Sequence, residues 1–412
     1  MLDLSKYYLK DNKRVIVAVS GGPDSMALLD MLRNTLFEIT VCHVNYHKRE
    51  SSDRDEKIVA DYCQKYNLNL FVHNAYGGEG NFQDWARRER YNFFKSIYEE
   101  VKAAYLFVAH QQDDLLETYL FKKQRHSVGN SLTIKESEEV FGMTLIRPLL
   151  DTSKDDLAQY CVSRGIEYGE DETNYSPIYT RNKIRLEIIN KMSREEKDKL
   201  LLEIKEEEEK WQSKRLLAQK SIQEKEISLA DFLKLEPDIK CLAIYELLIS
   251  SLPSLYPNLS LKRLKEMVKE IESPKPNIHI HLKDDYVLFK AYDRIYIDQE
   301  KEGYSYQIDS LKELETPDFI LSFKGPKKMD GIATIDSDFP LTIRTYQKDD
   351  FIVLKEGKKT VSRLFIDKKV PLGSRKRYPI VINNNGDVIF VPGLYRFYER
   401  KYWQNNLYVL KY

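Results

Sequence analysis

A glycine-rich turn near the start of the chain carries the residues best suited to chemistry. The turn comprises Ser20, Gly21, Gly22, Pro23, Asp24 and Ser25. It follows an apolar run that predicts a buried strand, and helical spacing begins at Asp24. Two glycines permit a tight turn whose amide groups, with those of the first helical turn, converge on one point and favour an anion. The segment therefore predicts a phosphate site. A strand–helix turn capped by Asp24 or Ser25 is the structural alternative.

This turn differs from both common nucleotide-binding loops. The sequence contains neither a GxxxxGK[ST] loop nor a GxGxxG fingerprint. Asp24 stands where a Walker loop has its lysine, and a carboxylate at that place suits a magnesium ion on pyrophosphate. The turn therefore predicts a pyrophosphate group with Mg²⁺ as its ligand.

A second polar cluster follows the predicted strand Tyr105–Ala109. His110, Asp114 and Glu117 are four and three residues apart, so they share one side of a helical turn. Because ligands of parallel sheets bind at the carboxyl ends of the strands, we expect this cluster beside the glycine-rich turn. It can hold magnesium or move a proton. The alternative is a helix N-cap at Asp113 followed by solvated acids.

A third cluster places Arg181 and Arg185 on one face of a predicted helix, after the acidic run Glu170–Asn174. Guanidinium groups near a phosphate site can neutralise a leaving pyrophosphate or bind a nucleic acid backbone. Ion pairing with the preceding acids is the alternative. The candidate catalytic residues are Asp24, His110, Asp114 and Arg185.

The pattern around these candidates predicts an α/β fold. Between residues 14 and 121, short apolar runs alternate with amphipathic stretches, which indicates a parallel sheet with helices on both faces. The composition and the helix and strand pattern change several times along the rest of the chain. We expect an N-terminal domain over 1–192, a charged connecting helix over 193–226, a helix-rich central domain over 227–298, a linker over 299–335 and a small basic α+β domain over 336–412.

The composition excludes several classes of protein. A length of 412 residues suggests two or three domains, and 65 basic residues against 65 acidic ones give no global signal for nucleic acid. The four cysteines are at least 21 positions apart, which excludes a CxxC zinc or redox motif and fits a reducing cytoplasm. Neither a signal-peptide core nor an 18-residue apolar run is present, so we expect a cytoplasmic protein without a membrane span.

The charge is distributed unevenly along the chain. Residues 341–412 contain 15 Lys and Arg against 6 Asp and Glu, a net of +9, which leaves −9 on the rest of the chain. Aromatic residues such as Tyr346 and Tyr395 lie among these cations. This pattern is typical of a surface that binds a phosphate backbone. A solvated basic face is the alternative.

Taken together, the motifs resemble the tRNA(Ile)-lysidine synthase family within the PP-loop ATPases. The shared motifs are SGGPDS at 20–25, HVN at 43–45, NFQDWAR at 81–87, AHQQDDLLET at 109–118, IRPLL at 146–150, EDETN at 170–174, RNKIR at 181–185, GKK at 357–359 and VPG at 391–393. The chain departs from the family at Tyr46, where a histidine is usual, at His47, where a glycine is usual, and at Gln111, where a second histidine is usual.

The resemblance implies a reaction and its partners. Family members use ATP to adenylate the C2 oxygen of the wobble cytidine in a CAU-anticodon tRNA(Ile). The amine of free lysine then displaces AMP, and the resulting lysidine changes decoding from AUG to AUA. Asp24 and Asp114 would hold Mg²⁺, and a homodimer is kept open. The residues expected to bind tRNA are Arg125, Arg181, Arg375, Lys376 and Arg377.

Three rival functions make different demands on the sequence. A tRNA thiolase of the same superfamily needs reactive cysteines or an iron–sulfur cluster. An amidotransferase relative needs an ammonia source, and no glutaminase domain is visible. An inactive RNA-binding module would have no use for Asp24, Asp114 and Arg185, and exchange of pyrophosphate into ATP would distinguish it.

Overall fold

The computed structural model describes residues 4–8, 12–48, 51–77, 82–169, 180–253, 256, 259–300 and 302–411, with the side chains of residues 5, 180–182, 402 and 411 left aside. The chain forms two compact units, Met1–Gln212 and Ser213–Tyr412. Within the described part of the chain, no helix has both the length and the apolar character of a membrane span.

The first unit alternates strands and helices, as the sequence predicts. Its strands are β1 (Arg14–Ala18), β2 (Glu38–Asn45), β3 (Asn69–Asn74), β4 (Tyr105–Val108), β5 (Ser127–Val128), β6 (Ser137–Val140) and β7 (Met143–Ile146). Its helices are α1 (Pro23–Arg33), α2 (Ser51–Tyr66), α3 (Phe82–Glu100), α4 (Gln112–Gln124), α5 (Lys154–Arg164) and α6 (Thr180–Glu187), followed by α7 (Arg194–Lys220), which contains the boundary between the units.

The main sheet of this unit has the strand order β3-β2-β1-β4-β7-β6. Every neighbouring pair is parallel except β6 and β7, which form an antiparallel hairpin. The side chains of β1 alternate between the two faces. Val15 and Val17 pack with α1, α2 and α5, whereas Ile16 packs with α3. Helices therefore cover both faces, and the predicted α/β architecture is confirmed.

A separate apolar cluster positions the third polar motif. Leu116 and Tyr119 of α4 pack with Ile184 of α6 and Ile204 of α7. This contact holds α6 against the helix that follows β4. Arg185, one residue beyond Ile184, is thereby carried to the carboxyl edge of the sheet.

The second unit begins with a mixed central part. Its elements are β8 (Ile222–Gln223), β9 (Glu226–Ser228), α8 (Leu229–Lys234), α9 (Pro237–Ser251), β10 (Leu259–Ser260), α10 (Leu261–Glu272), β11 (Asn277–His281), β12 (Tyr286–Ala291) and β13 (Arg294–Gln299). The sheet order is β11-β12-β13-β9-β8. The buried pair Arg215–Glu246, with Nε and Oε1 2.5 Å apart, joins α7 to α9.

The remainder of the second unit is mainly β. Its elements are β14 (Ser305–Ile308), β15 (Leu314–Glu315), β16 (Phe319–Ser322), β17 (Gly331–Ile332), β18 (Leu341–Thr345), β19 (Phe351–Leu354), β20 (Gly357–Thr360), α11 (Val361–Asp367), α12 (Leu372–Arg375), β21 (Pro379–Ile382), β22 (Val388–Val391), β23 (Tyr395–Arg396) and β24 (Leu407–Lys411).

The predicted linker over 299–335 is a structured part of this region. β14 pairs with β18, and both β16 and β17 pair with β24. Phe319 and Leu321 of β16 are fully buried. Short strands separated by polar turns show no clear periodicity in the sequence, and their partners lie 33 to 92 residues further along the chain, so the local pattern does not predict this part of the sheet.

Candidate active site

The glycine-rich turn needs glycine at its first bend. Gly21 has φ of 91°, a conformation that side chains rarely adopt. A Cβ at this position would lie 2.9 Å from the Cβ of Asp55 and 3.0 Å from its carbonyl oxygen. The carbonyl of Gly21 also accepts a hydrogen bond of 2.9 Å from the amide of Gly169. Both backbone strain and close packing therefore select glycine here.

The start of α1 is left open to a ligand. Gly22 is the N-cap, and no side chain caps the helix. The Oγ of Ser25 instead donates to the Gly22 carbonyl at 3.0 Å and accepts from the Ser20 amide at 3.1 Å. Capping by Asp24 or Ser25, the structural alternative, is therefore wrong. Amide groups at an uncapped helix start favour an anion.

Asp24 is held in an unfavourable state at this helix start. Its Oδ1 is buried and has no hydrogen-bond partner. Burial, and next the negative charge of Asp114, raise the pKa of Asp24 to about 6, although Lys154 and Arg185 act in the opposite direction. A buried carboxylate oxygen without a partner is costly unless a ligand satisfies it.

Asp114 is fixed from two sides at the start of α4. Its Oδ2 accepts from the Gln111 amide at 2.9 Å, as part of a capping box in which Gln111 is the N-cap. Its Oδ1 lies 2.7 Å from Nη2 of Arg185, which is also 2.8 Å from Oε2 of Glu117. The N-cap is therefore Gln111 and not Asp113, whose carboxylate instead contacts Lys197 at 2.7 Å.

Arg185 thus joins the third motif to the second. Its Nε is buried without a hydrogen-bond partner, so one donor of the guanidinium is still available to a ligand. The side chain of Arg181 and the run Glu170–Asn174 lie outside the described residues.

His110 is oriented by a residue that was not predicted as a site residue. Nε of Arg147 donates to Nδ1 of His110 at 3.0 Å. Because a guanidinium only donates, the proton of the neutral imidazole resides on Nε2. Burial lowers the pKa of His110 to about 4; the negative charge of Asp114 opposes this shift, and the positive charge of Arg147 adds to it. His110 is therefore a neutral hydrogen-bond donor near pH 7.

Arg147 is itself firmly held. It is 4% exposed, and its two Nη atoms donate to the Lys135 carbonyl at 2.8 Å and to Glu138 at 2.9 Å. The sequence offered one signal for this role. Arg147 immediately follows the apolar residues of β7, so it had to lie at the same sheet edge as His110.

A cavity of about 260 Å³ connects these groups. Ser20, Asp24, Ser25 and His110 line it, so the first two motifs meet as predicted. Further lining residues were not predicted as site residues: Tyr46, Arg87, Arg90, Tyr91 and Phe94. Arg87 and Arg90 are three residues apart on α3, which places both cations on one side of the helix. The cavity thus combines aromatic walls with positive charge.

The cysteines are unsuited to sulfur chemistry. All four are free and buried. Burial raises the pKa of Cys42 to about 12 and that of Cys63 and Cys161 to about 11. Thiols in this state are poor nucleophiles.

The residues predicted to bind tRNA fall into different environments. Arg125 is exposed at the end of α4, with its guanidinium 4.4 Å from the centre of the Phe121 ring. Lys376 is exposed and paired with Glu300, and Arg377 lies 3.4 Å from Asp318.

Arg375 differs from the other predicted tRNA residues. It is 7% exposed, and it donates to the Val370 carbonyl at 2.9 Å and to the Tyr292 hydroxyl at 3.1 Å. The prediction that it binds tRNA is corrected, because its guanidinium is enclosed by protein. Val370 and Leu372, apolar residues five and three positions before Arg375, are the sequence signal for the burial of Arg375.

Comparison with known proteins agrees with this site. Residues 2–192 match the family profile described as the PP-loop domain, and residues 341–406 match the TilS substrate C-terminal domain. A tRNA(Ile)-lysidine synthase of Ureaplasma parvum is 46% identical over 42% of this chain and 54% of its own length. The alignments at 44–46% identity span 54–62% of the relatives' length.

Other relatives match over nearly the whole chain. The tRNA(Ile)-lysidine synthase of Mycoplasma mycoides subsp. mycoides is 30% identical, and the alignment covers 94% of this chain and 98% of that one. The enzyme of the same name from Bacillus licheniformis is 31% identical over 99% of this chain and 95% of its own. The chain therefore belongs to the tRNA(Ile)-lysidine synthase family.

Proposed function

We propose that this chain uses ATP to join free lysine to C2 of the wobble cytidine in CAU-anticodon tRNA(Ile), releasing AMP and pyrophosphate. The observation that carries the proposal is the meeting of an uncapped helix start with Asp24, whose buried Oδ1 has no partner, and with the Asp114–Arg185 pair. The family relation supports the choice of substrates.

The proposed reaction has two steps. First, the C2 oxygen of the cytidine attacks the α-phosphorus of ATP, an O–P bond forms and pyrophosphate leaves. Then the amine of lysine attacks C2, the bond from C2 to its oxygen breaks, and AMP departs with that oxygen. The amine loses its proton, and the product is lysidine.

The chain's own residues stabilise the charge that moves in the first step. The amides of the turn and the start of α1 face the phosphates, and Arg185 brings a guanidinium with one unused donor. His110 presents a neutral Nε2–H, and Arg87 and Arg90 add positive charge to the cavity. Preorganised donors of this kind supply most of the rate enhancement at a reacting phosphate.

The carboxylates fit a magnesium ion. No group of three or more His, Cys, Asp or Glu side chains is arranged to hold a metal among the described residues. Magnesium on ATP takes one or two carboxylates, the other ligands being phosphate oxygens and water. Asp24, with its unpartnered oxygen, and Asp114 are the residues that would hold it. When bound, Mg²⁺ neutralises phosphate charge.

The remaining proposals concern partners and place. The exposed cations Arg125, in the first unit, and Lys376, in the second, and the half-buried Arg377 are proposed to contact the tRNA backbone. A reaction that consumes ATP, lysine and tRNA belongs in the cytoplasm, where all three are available.

Mass spectrometry of the RNA product tests the function. A tRNA(Ile) transcript with a CAU anticodon is incubated with the protein, ATP, Mg²⁺ and lysine, then digested to nucleosides. We expect the wobble cytidine to gain the mass of lysine less one water. A transcript with uridine at the wobble position is the control, and unmodified cytidine in the first transcript would refute the proposal.

A further inference from the structure

An exposed aromatic stack stands at the carboxyl edge of the main sheet. The ring of Tyr76 is parallel to that of His47, with an interplanar angle of 1° and centroids 4.7 Å apart. Tyr76 is 73% exposed, although large aromatic residues are usually buried. His47 follows β2 and Tyr76 follows β3, so both lie at the edge where the glycine-rich turn follows β1.

The lower ring of the stack is held in a fixed position. The amide of His47 donates to Oδ1 of Asn45 at 2.9 Å. Its Nε2 lies 2.7 Å from Oδ1 of Asn74, and its Nδ1 lies 3.3 Å from Oδ1 of Asp53. Two oxygens, one on β3 and one on α2, thus contact the imidazole, and a third oxygen on β2 holds the backbone of His47. The stack is therefore preorganised and does not depend on chance contact between two surface rings.

The backbone of His47 adds a second observation. Its φ is 49°, in the left-handed region that glycine adopts more readily than other residues. A histidine at this position bears a conformational cost that glycine would avoid, and its ring contacts Tyr76. Strain of this kind that is held by surrounding contacts is common at ligand sites.

The stack is separate from the cavity that is proposed to take ATP. The cavity has its own aromatic walls, which include Tyr46 and Tyr91, and its lining contains neither His47 nor Tyr76. Tyr76 is exposed at the same carboxyl edge of the sheet as the cavity. A flat, sequence-tolerant partner for such a ring is an unpaired base.

We propose that the open face of Tyr76, supported by His47, stacks on an unpaired base of the RNA substrate next to the cytidine that is modified. The inference rests on the proposed function. Extending the cytidine into the cavity unstacks it from its neighbour, and the Tyr76 ring replaces that lost stacking partner. The platform thereby holds the loop while the cytidine reacts.

Three variants and one fluorescent RNA test the platform. Tyr76→Leu removes the ring, Tyr76→Phe keeps it, and Phe323→Leu removes an exposed ring that follows β16 in the second unit. Affinity for CAU-anticodon tRNA(Ile) is measured by filter binding. A second transcript has 2-aminopurine in place of the anticodon adenine, which adjoins the wobble cytidine, and reports stacking through quenched fluorescence.

We expect Tyr76→Leu to bind the tRNA about 5- to 150-fold more weakly, the factor that corresponds to one stacked base. The quenching should be lost in this variant, whereas Tyr76→Phe and Phe323→Leu should keep both affinity and quenching. The KM for ATP should be unchanged in all three. Circular dichroism verifies that each variant is folded.

Two results would overturn the platform. One is wild-type tRNA affinity and quenching in Tyr76→Leu. The other is a raised KM for ATP with unchanged tRNA affinity, which would assign the ring to the adenine of ATP. The tRNA affinity and the fluorescence quenching are both measured without lysine. Lysidine formation by the wild-type protein is scored separately, so failure of the proposed function is distinguished from failure of the platform.

Discussion

The carboxyl edge of the N-terminal sheet and the basic C-terminal region differ in how their carboxylates are paired. At the sheet edge, Asp24 has a buried oxygen without a partner, and Arg185 keeps an unused donor. In the C-terminal region, Arg344 is held by both oxygens of Asp350 at 2.7 and 2.8 Å, and Lys376 is paired with Glu300. The Nε atoms of Arg377 and Arg396 are also buried without a partner. Among the described residues, an unpaired carboxylate oxygen, and neither an unpaired cation nor net charge, therefore distinguishes the sheet edge.

The largest effect is expected from Asp24→Asn. The variant should lose tRNA-dependent AMP formation by about a thousandfold, since charge at the reacting phosphate is the dominant catalytic contribution. Its folding should improve. The pKa of about 6 lies above the ordinary value of 3.8, so the folded state binds more protons than the unfolded state. The free energy of unfolding of the wild type therefore falls as the pH rises from about 4 to about 6. Asp24→Asn should therefore be more stable at pH 7 by about 1–3 kcal/mol, measured by urea unfolding.

Asp30→Asn is the matched control for this variant. Asp30 is also buried in α1, but Tyr62 and Arg33 donate to its Oδ1 at 2.5 and 2.8 Å, and Tyr160 donates to its Oδ2 at 2.8 Å. Asp30→Asn should lose about 2–3 kcal/mol of stability, because charged hydrogen bonds are broken. The free energy of unfolding should therefore rise in Asp24→Asn and fall in Asp30→Asn. Destabilisation in both variants would contradict the contrast between the two aspartates.

The next effect concerns Asp114. Asp114→Asn should reduce kcat for AMP formation about a hundredfold, because the contact with Arg185 loses its charge and one metal ligand is weakened. Asp113→Asn, which alters the adjacent carboxylate bound to Lys197, serves as the control and should keep kcat within about threefold. Equal losses in the two variants would assign Asp114 to helix structure.

A smaller effect is expected when the orienting residue of His110 is removed. Arg147→Gln should reduce kcat about ten- to a hundredfold while leaving the KM for ATP little changed. The pKa of His110 should rise from about 4, since a nearby positive charge is lost. Nitrogen chemical shifts of the imidazole measure both the tautomer and the titration.

Glu138→Gln is the control for Arg147. It removes one contact of the Arg147 guanidinium, through a glutamate whose side chain is 50% exposed, and leaves the bond to His110 in place. The imidazole shifts should then match those of the wild type. Unchanged shifts in Arg147→Gln as well would show that Arg147 does not orient His110.

The smallest effects separate two neighbouring cations. Arg375→Gln should destabilise the protein by about 1–3 kcal/mol and leave the salt dependence of tRNA binding unchanged, because its hydrogen bonds are internal. Lys376→Gln should change stability by less than about 1 kcal/mol and lower the salt slope by about one. Tm and tRNA binding across a salt series measure both. A shallower salt dependence of tRNA binding in Arg375→Gln would show instead that Arg375 contacts the tRNA.

The sequence predicted the N-terminal sheet and the meeting of its motifs because both follow from local patterns. Continuous apolar strands alternate with helices, and polar residues directly follow β1 and β4. The carboxyl ends of parallel strands meet at one edge, so Asp24 and His110 had to approach each other. The position of Arg185 follows from the apolar contact between α4 and α6. In the sequence, the apolar residue Ile184 directly before Arg185 indicates this contact.

The sequence did not predict features that depend on distant partners. Arg147 orients His110 across 37 positions of the chain, and Arg375 is buried by Tyr292, 83 positions away. The strands β14, β16 and β17 pair with β18 and β24. A truncation at residue 335 would therefore separate paired strands. Net charge likewise gave no information on which cations are enclosed.

Exchange of labelled pyrophosphate into ATP, with lysine omitted, tests the central claim most directly. The account predicts that the wild-type protein catalyses exchange when CAU-anticodon tRNA(Ile) is present, because the cytidine oxygen is the group that is adenylated. Exchange should disappear without the tRNA and in Asp24→Asn. Exchange that requires lysine and proceeds without tRNA would show that lysine is the adenylated substrate, and would contradict the account.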